Sequence, residues 1–326
     1  MSFAFISQIT TSRLNQNQVA ATLSRITLRV SNDMNDQLDK PFLAEEVVKA
    51  LSQMCPIKAP GPNGLPTVFY QKHWQTIKSK VITTCLYILN KQGTIGPLNH
   101  TYITLIFKIG KSRKVIDFRP ISLCNVIYKI VVKTITNRLK QILSKVISPM
   151  QSAFIPNRLI TDNIIVGYEC LHKIRQSRGK RNGLLALKLD INKAYDKLEL
   201  NFLEQTMLKL GFSQNYVRLV MRCISSAFFF VIINGTISRL IKPQRGLRQG
   251  CLLSPYHFII CAEAFSSLLV QAEQQKLIHG LSFGNDIKIA HLLFMDDSLI
   301  FTRASTTYCQ NLKRIFYCYC HYQTQI

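Results

Sequence analysis

The sequence has 326 residues, 47% hydrophobic and 18% charged, a balance that builds a sizeable core and excludes an intrinsically disordered chain. Its 41 Lys and Arg against 17 Asp and Glu leave a formal charge of +24, so the partner is a polyanion, either nucleic acid or an anionic membrane surface. The central apolar run Ala227 to Ile233 is too short to cross a bilayer, and no secretory signal follows Met1.

The ten cysteines are scattered and read as reduced thiols. Cys318 and Cys320 lie one residue apart with His321 behind them, which is not the CxxC spacing of a zinc site.

In chain order, Ser2 to Lys40 reads as a polar leader or linker. Within it Thr22 to Val30 alternates like a strand, and Asn32, Asp33, Asn35 and Asp36 mark a loop. From Phe42 the pattern turns helical, with Val47, Val48 and Leu51 on one face, and it stops before Pro56 because proline restricts the residue ahead of it. Lys58 to Leu65 is a loop. Tyr102 to Phe107 reads as a strand, and a turn carrying Gly110, Lys111 and Lys114 leads to Asp117-Phe118-Arg119-Pro120, which predicts a β-hairpin with basic trim.

A long helix follows. Val126, Ile130, Val131, Ile135, Leu139 and Ile142 form its core stripe, while Lys129, Lys133, Arg138 and Lys140 form a solvated basic face. Leu184 to Leu189 is a strand ending at Asp190, and a helix over Lys197 to Leu210 stops at Gly211, a residue suited to the left-handed cap. Phe228 to Ile233 with Asn234-Gly235 predicts a second hairpin. A helix from about Pro255 to Ala272 has Phe258, Ala262, Phe265, Leu269 and Ala272 on one stripe. Ile287 to Ala290 and Leu292 to Phe301 are strands around Met295-Asp296-Asp297.

Two adjacent carboxylates inside an apolar strand signal need an explanation. Like charges about 4 Å apart repel by roughly 4 kcal/mol at an effective dielectric near 20, so Asp296-Asp297 is either a solvated turn or a cation site. Asp190, which otherwise reads as a helix-initiating carboxylate, ends another apolar strand. Three carboxylates at strand ends suit two Mg²⁺ ions working on a phosphoryl group. Asp196, with Glu199 at the third position after it, reads as a variant capping box outside the catalytic set.

Over Pro41 to Tyr322, an ordered series of segments resembles the reverse transcriptases of LINE-type (non-LTR) retrotransposons, especially those of plant genomes. The matching stretches are Lys58-Ala59-Pro60-Gly61-Pro62-Asn63-Gly64, Asp117 through Asn125, Gln151-Ser152-Ala153-Phe154, Asp190 through Asp196, Arg245 through Gly250 with Ser254-Pro255, and Met295-Asp296-Asp297. The resemblance implies an α+β right-hand polymerase, its fingers and palm built from an antiparallel palm sheet packed on helices. Residues 1–40 would be the leader and 41–326 the polymerase region, with core motifs at about 102–303.

The resemblance also implies roles. Asp190, Asp296 and Asp297 form the catalytic triad and hold two Mg²⁺ ions, or Mn²⁺ in their place. Tyr195 stands on the steric gate that disfavours a 2′-hydroxyl, with a core aromatic as the alternative. Gln249 and Gly250 belong to the loop along the incoming nucleotide and template. Lys108 and Arg119 contact the triphosphate, with solvated hairpin charges as the alternative. The chain departs from the family at Gly250-Cys251-Leu252-Leu253-Ser254-Pro255, where Gly-Asp-Pro-Leu-Ser-Pro is usual. The family also continues into a primer-gripping hairpin and a thumb, whereas this sequence stops at Gln325-Ile326, so the expectation is a region truncated before the thumb.

The expected function is RNA-directed DNA synthesis on an RNA template and a DNA primer from deoxynucleoside triphosphates, in the nucleus or cytoplasm, with no membrane partner. The alternative is a catalytically dead nucleic-acid-binding remnant. Filled carboxylate positions favour the first, while Cys251 and the missing thumb favour the second.

Overall fold

The computed structural model describes residue 23 and residues 25–91, 93–108, 110, 117–177, 183–190, 194–284 and 287–323. The loop expected at Asn32 to Asp36 is a helix, α1 (Asn32–Asp39). Ser31 caps it by accepting from the Met34 N–H at 3.3 Å, Asp33 complements the positive end of the helix dipole, and Leu38 anchors it in the core. Asp and Asn favour turns only where nothing buries the segment. Residues 26–30 form no strand; the N–H groups of Arg29 and Val30 both donate to Leu210 O at 2.9 Å.

Helix α2 (Ala44–Ser52) ends before Pro56 as its sequence predicts, and α3 (Thr67–Lys72) and α4 (Trp74–Asn90) follow. The hairpin of β1 (His100–Phe107) and β2 (Phe118–Cys124) is antiparallel, with Thr101 opposite Cys124 and Phe107 opposite Phe118. Of its expected turn, Lys111 and Lys114 lie outside the described residues.

Helix α5 (Val126–Val146) buries the expected stripe but is wrapped on more sides than one, against α1, α2 and α4. Arg138 therefore does not belong to a solvated face. Its guanidinium pairs with Glu46 at 2.6 and 2.7 Å, donates to the carbonyls of Leu38, Lys40 and Pro41, and lies 3.6 Å over the Phe42 ring. A carboxylate and three carbonyls replace the water that it gives up.

The rest of the chain alternates helices and strands. They are α6 (Ile160–Gln176), β3 (Leu184–Asp190), α7 (Ala194–Lys197), α8 (Leu200–Leu210), α9 (Gln214–Ser225), β4 (Phe228–Ile233), β5 (Thr236–Ile237), α10 (Ser254–Gln274), β6 (Leu281–Phe283), β7 (Ile287–Ile289), β8 (His291–Phe294), β9 (Asp297–Arg303) and α11 (Thr306–Gln323). Gly211 ends α8 at φ 98°, a conformation that costs glycine little. Asn234 and Gly235, at φ 49° and 79°, close the β4–β5 hairpin.

The fold is mixed α and β. A four-stranded sheet has the order β2-β1-β4-β5 and contains one parallel pair, β1 with β4. A three-stranded antiparallel sheet has the order β3-β9-β8. Side chains alternate across the second sheet: Leu187, Leu189, Leu293 and Ile300 enter the main core that holds α5 and α10, while Leu184, Ala186, Leu292, Leu299 and Phe301 pack with Cys170 and Val166 of α6. Both faces are covered along most of its length, and the end bearing Asp190 is left exposed.

Candidate active site

Strands β3 and β9 run antiparallel with Asp190 directly opposite Asp297, so both carboxylates leave the same face. Lys188, two residues back on that face, places its Nζ 3.3 Å from Asp297 Oδ1 across an exposed pair. Asp296 sits half-buried on the tight turn between β8 and β9, beside Met295 at φ 55°. Burial holds the Asp296 carboxyl above its usual range, repulsion from Asp190 and Asp297 adds to that rise, and a backbone hydrogen bond opposes it. The three expected carboxylates thus share one electrostatic neighbourhood. They are not drawn into a closed ligand set: among the described residues no three His, Cys, Asp or Glu form a group that could hold a metal ion, and Asp297 is engaged by Lys188 instead.

The turn is held from outside the sheet. Gln151 Oε1 accepts from the N–H groups of Met295 at 3.2 Å and Ala153 at 3.0 Å. Leu293 N–H donates to Met150 O at 2.8 Å, and Asn163 Nδ2 donates to Leu293 O at 2.8 Å. Arg158 fixes the approach to Gln151 by donating to the carbonyls of Ser144, Ile147, Ser148 and Gln151. Sequence reasoning found the Gln151 segment only as part of a resemblance; nothing in its local pattern points to residue 295.

Tyr195, on α7, stacks on Phe258 with ring centroids 5.1 Å apart and planes 9° from parallel. Burial pushes its phenol up, and the Asp296 charge adds to the shift, so the ring both packs on the core and neighbours the carboxylates. The loop after β5 docks on α7: Leu247 N–H donates to Tyr195 O and Gly246 N–H to Leu198 O, both at 2.7 Å. Gln249 donates to Asp196 Oδ1 at 3.0 Å, and its own carbonyl accepts from Ser122 N–H at 2.8 Å. Gly250 has φ 97° and lies so close to β2 that a Cβ would stand 3.3 Å from Ser122 O. Asp196 is therefore not a helix cap. It lies within α7, and Glu199, which precedes α8, makes no side-chain capping bond and pairs with Arg245 at 3.7 Å.

Arg248 was found from the sequence only as part of the Arg245 through Gly250 resemblance, with no role attached to it. It is buried, donating to Thr101 Oγ1 at 3.2 Å and Cys223 O at 3.2 Å, and to Asn99 Oδ1 and Tyr128 Oη, with its guanidinium 4.3 Å over the Tyr128 ring. It stands in a loop between Leu247 and Gln249, and no periodicity links it to Asn99. Lys108 and Arg119 stand exposed on the β1–β2 hairpin, Arg119 opposite Ile106, and not on the β3–β9 pair.

A family profile described as "Reverse transcriptase (RNA-dependent DNA polymerase)" matches residues 109–325. The chain is 32% identical over 277 residues to the "Transposon TX1 uncharacterized 149 kDa protein" of Xenopus laevis, which covers 83% of this chain and 20% of that protein. It is 27% identical over 285 residues to the "Retrovirus-related Pol polyprotein from type-1 retrotransposable element R2" of Nasonia vitripennis, covering 85% of this chain and 25% of that one. A shorter match, 46% over 72 residues, links it to an uncharacterised mitochondrial protein of Arabidopsis thaliana, over 22% of this chain and 59% of the other. The chain thus spans a quarter or less of the two transposon proteins. With a profile match over most of its length and its motifs in family order, the chain belongs to the reverse transcriptase (RNA-dependent DNA polymerase) family, in its non-LTR retrotransposon branch.

Proposed function

We propose that the chain carries out RNA-directed DNA synthesis, adding deoxynucleotides to a primer 3′-hydroxyl on an RNA template in the nucleus or cytoplasm. The observation that carries this reading is the register of Asp190 opposite Asp297, with Asp296 on the adjoining turn. In this reading β3, β9 and β8 are the palm and the β1–β2 hairpin belongs to the fingers. Among the described residues no helix is long and apolar enough to cross a membrane.

The oxygen donors are of the kind a hard divalent cation takes, although among the described residues they are not gathered into a group that could hold one. All three side chains offer carboxylate oxygens, and burial, with repulsion from Asp190 and Asp297 added to it, raises the proton affinity of Asp296. Asp190 and Asp296 would be the principal ligands of Mg²⁺ or Mn²⁺, with Asp297 the third. Two such ions, when bound, supply a more nucleophilic primer oxygen and a neutralised α-phosphate. Tyr195 limits the space under the sugar, Gln249 is oriented for the nucleotide by Asp196, and Gly250 lets that loop pack closely on Ser122 of β2. Lys108 and Arg119 offer cations to the triphosphate.

A second reading, a nucleic-acid binder without catalysis, draws on Cys251, which stands buried where the family has an acidic residue. Extension of a labelled DNA primer on an RNA template, with Mg²⁺ and with the Asp296→Asn chain as control, separates the two. Mg²⁺-dependent extension that vanishes in Asp296→Asn is the expected result. RNA binding with no extension under any divalent ion leaves the second reading standing.

A further inference from the structure

Helix α9 carries Arg218 and Arg222 four residues apart, one turn above the other on a single face. Both line a cavity of about 280 Å³ whose other walls are the C-terminal ends of α1 and α4, and none of these three helices carries a residue of the candidate active site. Arg222 Nη2 donates to Gly93 O at 2.6 Å, which fixes the side chain and leaves its other N–H groups for a ligand. Lys40, the residue that closes α1, adds a third cation.

Lys40 and Arg218 are exposed, while Leu38, Leu89 and Leu219 in the same cavity are buried, so a cationic rim stands over an apolar floor. One carboxylate, Asp39, also lines it and accepts from Ser213 Oγ at 2.8 Å. Three cations against that single acid leave two positive charges in surplus. The backbone of the turn after α1 is already engaged: Arg138 takes the carbonyls of Leu38, Lys40 and Pro41, and the Asn90 amide bonds both the N–H and the carbonyl of Phe42. What the cavity offers is therefore donors, which favour an anion.

Tyr216 is an independent sign of a ligand. It lines the same cavity, is 1% exposed, and its Oη has no hydrogen-bond partner among the described residues. Burial pushes the phenol up, Arg138 opposes that rise, and Cys223 and Asp39 add to it, so the hydroxyl lies within reach of the α1 wall. A buried hydroxyl without a partner is uncommon, and this one is a donor beside two guanidinium groups. Guanidinium forks match the oxygens of a phosphate, and a phosphomonoester carries about −1.5 to −2 at neutral pH, which meets the surplus charge. The leucine floor suits an apolar or aromatic body attached to that phosphate. We infer that this cavity binds a small organic phosphomonoester, with its phosphate on Arg218, Arg222 and Tyr216 and its carbon body on the leucines. The site does not depend on the polymerase reading.

The test titrates phenyl phosphate into the full chain by calorimetry. Phenyl sulfate, the same ring with a single charge, and inorganic phosphate, the same group without the ring, are the comparators. Phenyl phosphate should fill one saturable site and bind about ten-fold more tightly than either. Arg218→Gln and Tyr216→Phe should each weaken it by about ten-fold. Tyr216→Phe should at the same time leave the urea midpoint of the free chain no lower than that of the parent, since its hydroxyl has no bond to lose. The exposed pair Lys78→Gln/Lys80→Gln, which removes charge elsewhere, should bind like the parent. Asp296→Asn should also bind like the parent, so a failed polymerase reading shows in extension and a failed phosphate site shows here. No saturable binding by the parent, equal affinity for the sulfate, or parental affinity in both Arg218→Gln and Tyr216→Phe overturns the inference. So does displacement of phenyl phosphate by a 5′-hydroxyl single-stranded RNA whose own binding is lost in Arg218→Gln, which would make the ligand a phosphodiester strand.

Discussion

Gln151 Oε1 accepts a 3.2 Å hydrogen bond from the backbone N–H of Met295, the residue immediately ahead of Asp296. Met295 has φ 55°, a left-handed conformation that costs a non-glycine residue about 1–2 kcal/mol, so the turn needs support from its neighbours. Removing the acceptor with Gln151→Leu should lower stability by about 1–3 kcal/mol, because buried N–H groups are left unpaired. Extension should fall further, by about 100-fold if the carboxylate shifts by about 1 Å. Gln151→Glu keeps an acceptor oxygen and should retain more activity than the Leu variant. Urea midpoints and single-turnover rates read the two effects separately, and equal loss in both variants would count against the turn contact.

Tyr195 presents a second test. Tyr195→Ala should raise ribonucleotide incorporation relative to deoxyribonucleotide, because it opens space beside Asp296 without removing a carboxylate, while Tyr195→Phe keeps the ring stacked on Phe258 and should discriminate like the parent. Unchanged sugar discrimination in Tyr195→Ala would return the residue to the core.

Glu263 should impose a pH dependence on stability. It is buried on α10, 2.8 Å from Arg29 and accepting from Ser148 N–H at 2.7 Å, and burial pushes its carboxyl from 4.5 to about 7, opposed by Arg29, that N–H and Arg158. Below pH 4.5 folded and unfolded chains are both protonated and the group takes nothing from stability. Between 4.5 and about 7 the unfolded chain releases its proton while the folded chain keeps it, so stability falls as pH rises, and above about 7 the loss is complete. At 1.36 kcal/mol per pH unit the total is at most about 3 kcal/mol. Urea unfolding at several pH values should show this fall in the parent and not in Glu263→Gln; identical slopes in the two chains would contradict it.

Arg248→Met should be among the most damaging single changes, destabilising by about 3–5 kcal/mol, since it takes the guanidinium from Asn99 Oδ1, Thr101 Oγ1 and Tyr128 Oη at once. Lysine is not an adequate replacement, because one ammonium cannot span Asn99, Tyr128 and Cys223 together. Chemical denaturation of both variants checks the claim, and a near-parental midpoint in either would refute it.

What the sequence made legible was whatever is decided locally. Gly211 stops α8 and Asn234-Gly235 turns the second hairpin because backbone conformation alone selects those residues. Asp190 and Asp296-Asp297 were readable as strand ends, but the register that sets Asp190 against Asp297 comes from long-range pairing. Arg138 was misread because its partners, Glu46 and the end of α1, lie more than 90 residues earlier. Helix α6 gave no clear signal: Ile164, Ile165 and Tyr168 are exposed on it and blur the apolar stripe. Asn32 to Asp36 reads as a loop until Leu38 is buried.

The Arg248 network also carries an instruction about timing. Its acceptors Asn99, Thr101 and Tyr128 leave the ribosome long before it does, being separated from it by 149, 147 and 120 positions. At roughly 5–20 residues per second, that interval lasts several seconds or more. Throughout it, β1 and α5 hold polar groups shaped for a cation that has not yet been made. A nascent chain halted before residue 248 therefore lacks the cation that these groups meet in the finished protein.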